Sequence, residues 1–263
     1  MPDPHAWLLA YDTQLRGEAE TPGATSVTRL GPLRLVTFAP DRGFVTYRDL
    51  GDAPTERGIT ELVRDALAHF RADAAIARVE WKTRAHDHAP GLHDALLAHG
   101  FVAEETESIM VGPAASLVAD VALPPGVTLR RVTSEADVRA MSAMQDEVFG
   151  DPVSETSARS LLRRLSRDDG MQLWVAESGD EIVCAGRLEP VAGSDFAGVW
   201  GGCTREPWRG RGIYRALTAA RAREAVAMGR SLVHSDSTAF SRPILERAGL
   251  VAVSSTTPYH WRR

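Results

Sequence analysis

The chain has 263 residues, of which 44% are hydrophobic and 25% charged: enough apolar side chain for one large core or two ordinary ones. Its formal net charge of −5 offers no basic field for nucleic acid, and two cysteines, Cys184 and Cys203, exclude a disulfide scaffold and fit a reducing compartment. There is no zinc-spaced Cys and His cluster, no signal-peptide start and no run of about 18 apolar residues, so a cytoplasmic protein without metal, nucleic-acid or membrane partner is expected.

In chain order, the first patterned stretch is TERGITELV (residues 55–63), a helix start. LLAHGFVAEETESIMV (residues 96–111) reads as a helix stopped at Gly100 and continued as a strand. Residues 112–126, GPAASLVADVALPPG, are small, Pro-containing and aperiodic, so a linker is predicted over 113–126. The chain restarts with the alternating VTLRRVT, a strand. SEADVRAMSAMQDEVFG then carries a capping box, Ser134 with Asp137, and ends at Gly150. A second helix is expected over residues 155–167. MQLWVAES and EIVCAGRLEPV flank Gly179-Asp180 as a hairpin, and the glycines of FAGVWGGCT imply a bulge or a close backbone approach. A helix from Ile213 to about Met228, a strand SLVHSD, a helix over residues 242–247 stopped by Gly249, and strands LVAVSS and YHWR complete a mixed α/β order.

The two halves resemble one another. Arg57-Gly58-Ile59 aligns with Arg211-Gly212-Ile213, and LLAHGFVAEETESIMV aligns with LERAGLVAVSSTTPYHW through Gly100 and Gly249. Both run strand, loop, helix, strand, helix, Gly-apolar, strand, which points to an internal duplication. The domains expected are residues 1–112, linker 113–126 and residues 127–263.

The loop Arg209-Gly210-Arg211-Gly212 stands directly ahead of a helix. A helix start exposes unpaired N–H groups at the positive end of its dipole, and glycines let an anion come close to them. The two arginines add charge at the same place. A dinucleotide fingerprint would need glycine at Arg215, and a Walker loop would need G-K-[ST]. The anion expected is therefore a pyrophosphate held by neither motif.

CTREPWRGRGIYRAL resembles the acyl-CoA motif [QR]-x-x-G-x-[GA] of the GNAT superfamily of N-acetyltransferases, with Arg209 and Gly212 in the defining positions and Tyr214 where Gly or Ala is usual. RPILERAGLV is similar to the family's following helix and Gly-Phe strand, and the resemblance covers residues 127–263. It implies an α/β fold of two GNAT-like domains, each a mixed sheet with splayed parallel strands flanked by helices. It also implies acetyl-CoA as co-substrate and direct transfer of the acetyl group to a primary amine of a small molecule or peptide. On that basis Gly202, Cys203 and Thr204 would pair with pantetheine, and Arg209, Gly210, Arg211, Gly212, Ile213 and Tyr214 would hold the pyrophosphate.

Two readings of the general base stay open: Glu189, at the end of the strand before the slot strand, or His234 with Asp236, two apart on SLVHSD. The bland alternatives are a Glu189 paired with Arg187 and a packed strand histidine. The family's leaving-group tyrosine is replaced by Leu245, which favours the alternative of a non-catalytic acyl-CoA-binding regulatory module. Cys203 has no His partner nearby and is expected to be inert. In the first half Glu56 sits in the loop and a single glycine, Gly58, remains, so that half reads as a degenerate copy.

Overall fold

Local chemistry sets most element ends in this computed structural model, which describes residues 3–39, 41–51 and 54–263. The first half forms α1 (Pro4–Gln14), β1 (Ser26–Leu30), β2 (Leu33–Phe38), β3 (Arg42–Thr46), α2 (Glu56–Ala72), β4 (Arg78–Lys82), α3 (Leu92–Ala98), β5 (Val102–Ala103) and β6 (Glu107–Pro113). Then come α4 (Ala114–Leu117), β7 (Val127–Arg131), α5 (Glu135–Phe149), α6 (Glu155–Leu165), β8 (Gln172–Ser178), β9 (Glu181–Pro190) and β10 (Phe196–Thr204). The chain ends with α7 (Ile213–Ala227), β11 (Leu232–Ser237), α8 (Arg242–Arg247), β12 (Val251–Thr256) and β13 (Pro258–Arg262). As the capping pattern predicts, Ser134 Oγ accepts from the Asp137 amide at 3.1 Å, and α5 closes on Gly150 at φ +80°. The β8–β9 hairpin turns at Gly179-Asp180, with Gly179 at φ +59°.

The chain forms two units, Met1–Ile109 with Asp236–Phe240 and Ala252–Arg263, and Met110–Ser235 with Ser241–Val251. The first unit carries the sheet β1-β2-β3-β4-β13-β5, in which β3 and β4 are parallel. The α2 face of Ile59, Val63, Leu67 and Phe70 packs on it with Leu35, Val45 and Trp81. The second sheet runs β12-β6-β11-β10-β9-β8-β7. On one of its faces Val138, Met141 and Met144 of α5 meet Leu173, Val175 and Cys203. On the other, Ile213 and Leu217 of α7 meet Val127, Ala176 and Cys184.

The units are interleaved rather than cut at residues 112 and 127. The last strand, expected in the second domain, pairs antiparallel with β4 through Tyr259↔Trp81 and Trp261↔Val79. The strand closing the first half, β6, lies between β11 and β12 instead. β6 and β13 occupy equivalent places in the two halves, and each is paired on both sides within the sheet of the other half. The linker also differs from expectation. Ala114 and Leu117 are buried in α4, and Arg223 of α7 holds the next residues by donating to Ala119 O at 2.5 Å and Asp120 at 2.8 Å.

Candidate active site

The parallel neighbours β10 and β11 pair over three residues only, Phe196↔Leu232, Ala197↔Val233 and Gly198↔His234, although β10 continues to Thr204. Beyond Gly198 the two strands part. On the other side of β10 the register with β9 shifts between Trp200 and Cys203, so Gly201 and Gly202 form a bulge. Gly201 takes φ +58°, a left-handed value at which glycine carries no steric cost. Its carbonyl accepts from Gln145 Nε2 of α5 at 2.7 Å. The close approach expected at these glycines is made by a side chain of the protein itself: a Cβ on Gly202 would stand 2.6 Å from the Tyr214 ring.

From Thr204 the chain enters the anion loop. Gly210 at φ +73° and Gly212 at φ +80° are left-handed, and no atom lies within 4 Å of the Cβ position at Gly210. Gly212 is the N-cap of α7, and among the described residues no side chain caps that helix. Its first-turn N–H groups are therefore left for water or an anion. Arg209 Nε donates to Thr204 O at 3.0 Å, and the Arg211 guanidinium lies 5.0 Å from the Trp208 ring centroid, which orders both arginines at the loop. Ile213 is in the core. The Tyr214 phenol, pushed up by burial and partly offset by the Arg221 charge, stays protonated.

The bulge cysteine is inert. Burial pushes the Cys203 thiol up to about 12, its sulfur lies 3.9 Å from Met144 Sδ, and Cys184, at about 11, shares its sulfur with the Thr204 hydroxyl at 3.2 Å.

Two of the three predicted acid-base residues fall in one row. Gly198 is the register partner of Glu189 on β9 and of His234 on β11, so both flank it at the level where the slot opens. With no Cβ at Gly198, the Trp200 indole folds over it and meets the His234 ring edge-on at 4.9 Å between centroids. Glu189 is held by two guanidinium groups, Arg187 Nε at 2.5 Å and Arg164 Nη2 at 3.6 Å. Asp236 does not join this row. It belongs to the first unit, where its carboxylate pairs with Lys82 at 2.6 Å. Leu245, where a leaving-group tyrosine was sought, is 1% exposed. Gln145 and Arg221 were missed in the sequence. The readable signal for Arg221 was a lone arginine on the Ile213, Leu217 stripe of α7.

The equivalent region of the first unit is built differently. Strands β3 and β4 stay paired from Arg42↔Arg78 to Val45↔Trp81. Beyond them Thr46 Oγ1 donates to Glu20 at 2.5 Å, Arg84 pairs with Glu20 and donates to Thr46 at 3.1 Å, and Lys82 lies 3.9 Å from Glu20. Helix α2 begins one turn earlier than the Arg57-Gly58 alignment implied. Thr55 is its N-cap and accepts from the Gly58 amide at 3.1 Å, so Gly58 lies inside the first turn.

Among the described residues no group of three or more His, Cys, Asp or Glu side chains is placed to hold a metal, and no helix is long and apolar enough to cross a membrane.

No protein-family model matches the chain, and none of the curated proteins matches it. Its fold does match solved structures. A GCN5-related N-acetyltransferase from Kribbella flavida aligns over 92% of each chain at 15% identity with a TM-score of 0.67. One from Sphaerobacter thermophilus aligns over 99% of this chain and 94% of its own, at 19% and 0.62. A tandem GNAT protein from the clavulanic acid biosynthesis pathway aligns over 88% of this chain and 78% of its own, at 13% and 0.61. The chain therefore has the GNAT fold. It is α/β, with two mixed sheets flanked by helices forming two GNAT-like domains.

Proposed function

We propose that the second unit is an acetyl-CoA-dependent N-acetyltransferase that acts on a primary amine by direct attack within a ternary complex. The observation that carries this reading is the continuous path from the parting of β10 and β11, past the bulge at Gly201-Gly202, to the uncapped N-terminus of α7. The residues along it suit the co-substrate. The glycines admit a pyrophosphate, the first-turn amides and Arg209 and Arg211 supply positive charge, and the bulge backbone offers donors beside the slot. Acetyl-CoA supplies an activated thioester. The amine nitrogen bonds to the acyl carbon as the C–S bond breaks, and the amine's proton goes to a base on the protein.

His234 is favoured for that base over Glu189. A proton on Glu189 would weaken its pairing with Arg187 and Arg164, whereas His234 stands at the slot apex in register with Gly198 and offers an imidazole, the side chain most often used as a general base. Asp236, tied to Lys82, is not required in this scheme. The thiolate is released to solvent without a tyrosine at position 245. The first unit is the degenerate copy and shapes the protein without binding acyl-CoA.

Replacement of that tyrosine by a buried Leu245 favours a second reading, a module that binds acyl-CoA and turns nothing over. A panel of amines assayed for free-thiol release separates the two. Amine-dependent release supports the transferase. Acetyl-CoA binding with no release across small amines, amino acids and peptide N-termini supports the module.

A further inference from the structure

Among the described residues four arginines are buried, and three of them have acidic partners: Arg16 pairs with Asp87, Arg84 with Glu20, and Arg34 lies 3.9 Å from Glu18. Arg221, 1% exposed on α7, pairs with no carboxylate among the described residues. An unpaired buried charge is costly and is retained only where something requires it. Its donors go to neutral oxygens instead. Nη1 reaches Arg187 O at 3.1 Å and Trp200 O at 3.4 Å, Nη2 reaches Thr218 Oγ1 at 3.1 Å, and Nε lies 3.4 Å from Leu217 O. The Tyr214 phenol lies near the same group.

Arg187 and Trp200 are register partners at the edge of the bulge, and Trp200 lies beyond the last residue that β10 pairs with β11. The guanidinium thus ties β9 to the free wall of the slot. The chain makes room for it: a Cβ on Gly186 would stand 2.6 Å from Nη1. Gln145 grips the next carbonyl, Gly201 O, from α5, which packs on the opposite face of the sheet. Carbonyls held from both faces leave the bulge N–H groups with one orientation.

Resting on the acetyltransferase reading, we propose that Arg221 is a positioning residue for acyl transfer. It locks the Trp200–Gly202 backbone so that its amides face the acyl oxygen, and its unneutralised charge favours the negative charge that develops there and on sulfur. A guanidinium needed only for packing would do better with a carboxylate partner. One needed for its field would not.

The test uses the full chain and its Arg221→Met and Arg221→Lys variants. Thiol release is measured at saturating acetyl-CoA with an amine that wild type accepts, CoA affinity by calorimetry, and folding by thermal melting. Arg221→Met is expected to lose about 30-fold or more in kcat with the Kd for CoA within about threefold of wild type. Arg221→Lys, which keeps the charge but not the fork that reaches two carbonyls, is expected to recover only part of that loss. If Arg221→Met does not fold, Arg221→Lys decides alone: a fall of about tenfold in kcat at unchanged Kd supports the proposal. A Met variant with kcat within about threefold of wild type overturns it. So does a parallel loss of kcat, CoA affinity and melting temperature in both variants, which marks packing alone. If wild type itself releases no thiol with any amine while binding CoA, the transferase reading has failed and this inference falls with it. Failure of the inference alone appears only against an active wild type.

Discussion

Gly212 stands at φ +80° at the head of α7, so any other residue there is strained before its side chain meets anything. The Cβ itself has room, with Val121 Cγ1 3.6 Å away, which separates strain from charge. Gly212→Ala is expected to weaken acetyl-CoA binding modestly. Gly212→Asp adds a carboxylate beside the pyrophosphate and is expected to lose ~10- to 100-fold in affinity, the equivalent of one or two charge-assisted hydrogen bonds. Calorimetry on both folded variants checks this, and equal affinities for Asp and wild type would remove the loop from the site. The row at Gly198 gives a second prediction. His234→Ala is expected to lower kcat by ~10²- to 10⁴-fold, and Glu189→Gln by less than about tenfold. The reverse ranking in the thiol-release assay would return the base to Glu189.

Helices α2 and α7 follow parallel strands in the same topological place, yet their N-termini have opposite chemistry. Thr55 closes α2 on the Gly58 amide, whereas Gly212 leaves α7 open. A capped end has one fewer donor for an anion and one more bond for stability. Thr55→Ala is therefore expected to destabilise the protein by about 1 kcal/mol, read as a lower urea midpoint at unchanged slope, without creating acetyl-CoA binding. The parallel pairs differ in the same sense. β3 and β4 remain joined and the space beyond them is filled by Glu20, Arg84 and Thr46, while β10 and β11 part after Gly198. Both differences favour the proposed binding on the second element set over the first.

At the scale of the whole chain, one acyl-CoA per molecule is the expected stoichiometry. Calorimetric titration counts it directly, and a value near two would overturn the degenerate first copy. The network filling the first unit also makes an acid-stability prediction. Burial alone would raise the Glu20 carboxyl, but Arg84, Lys82 and the Thr46 hydroxyl outweigh it and hold it below the ordinary glutamate value. A carboxyl depressed in the folded state contributes stability that is in place above its unfolded pKa, near about 4.3, and is lost as pH falls through the folded value. Stability should therefore fall below about pH 4. Glu20→Gln should be destabilised at neutral pH by about 3–5 kcal/mol, because Arg84 is left buried without its partner, and its acid limb should be shallower. Denaturant titrations from pH 3 to 7 test this, and parallel curves for the two proteins would refute it.

Much was readable from the chain alone because the signals are local. The Ser134 cap, the Gly179-Asp180 hairpin and the glycines of FAGVWGGCT and RGRG each constrain the backbone within a few residues, and the structure has the cap, the turn, the bulge and the open helix end where those residues lie. The internal likeness of the halves was legible for the same reason. Tertiary structure alone decided what depends on distant partners. The exchange of β6 and β13 is a matter of pairing with strands far away in the chain. Asp236 was separated from His234 by Lys82, a residue 154 positions away. Gly202 proved to make room for Tyr214, and Arg221 to hold the carbonyls of two neighbouring strands. A side chain's chemistry is written in the sequence, but its neighbours are chosen by the packing of the whole chain.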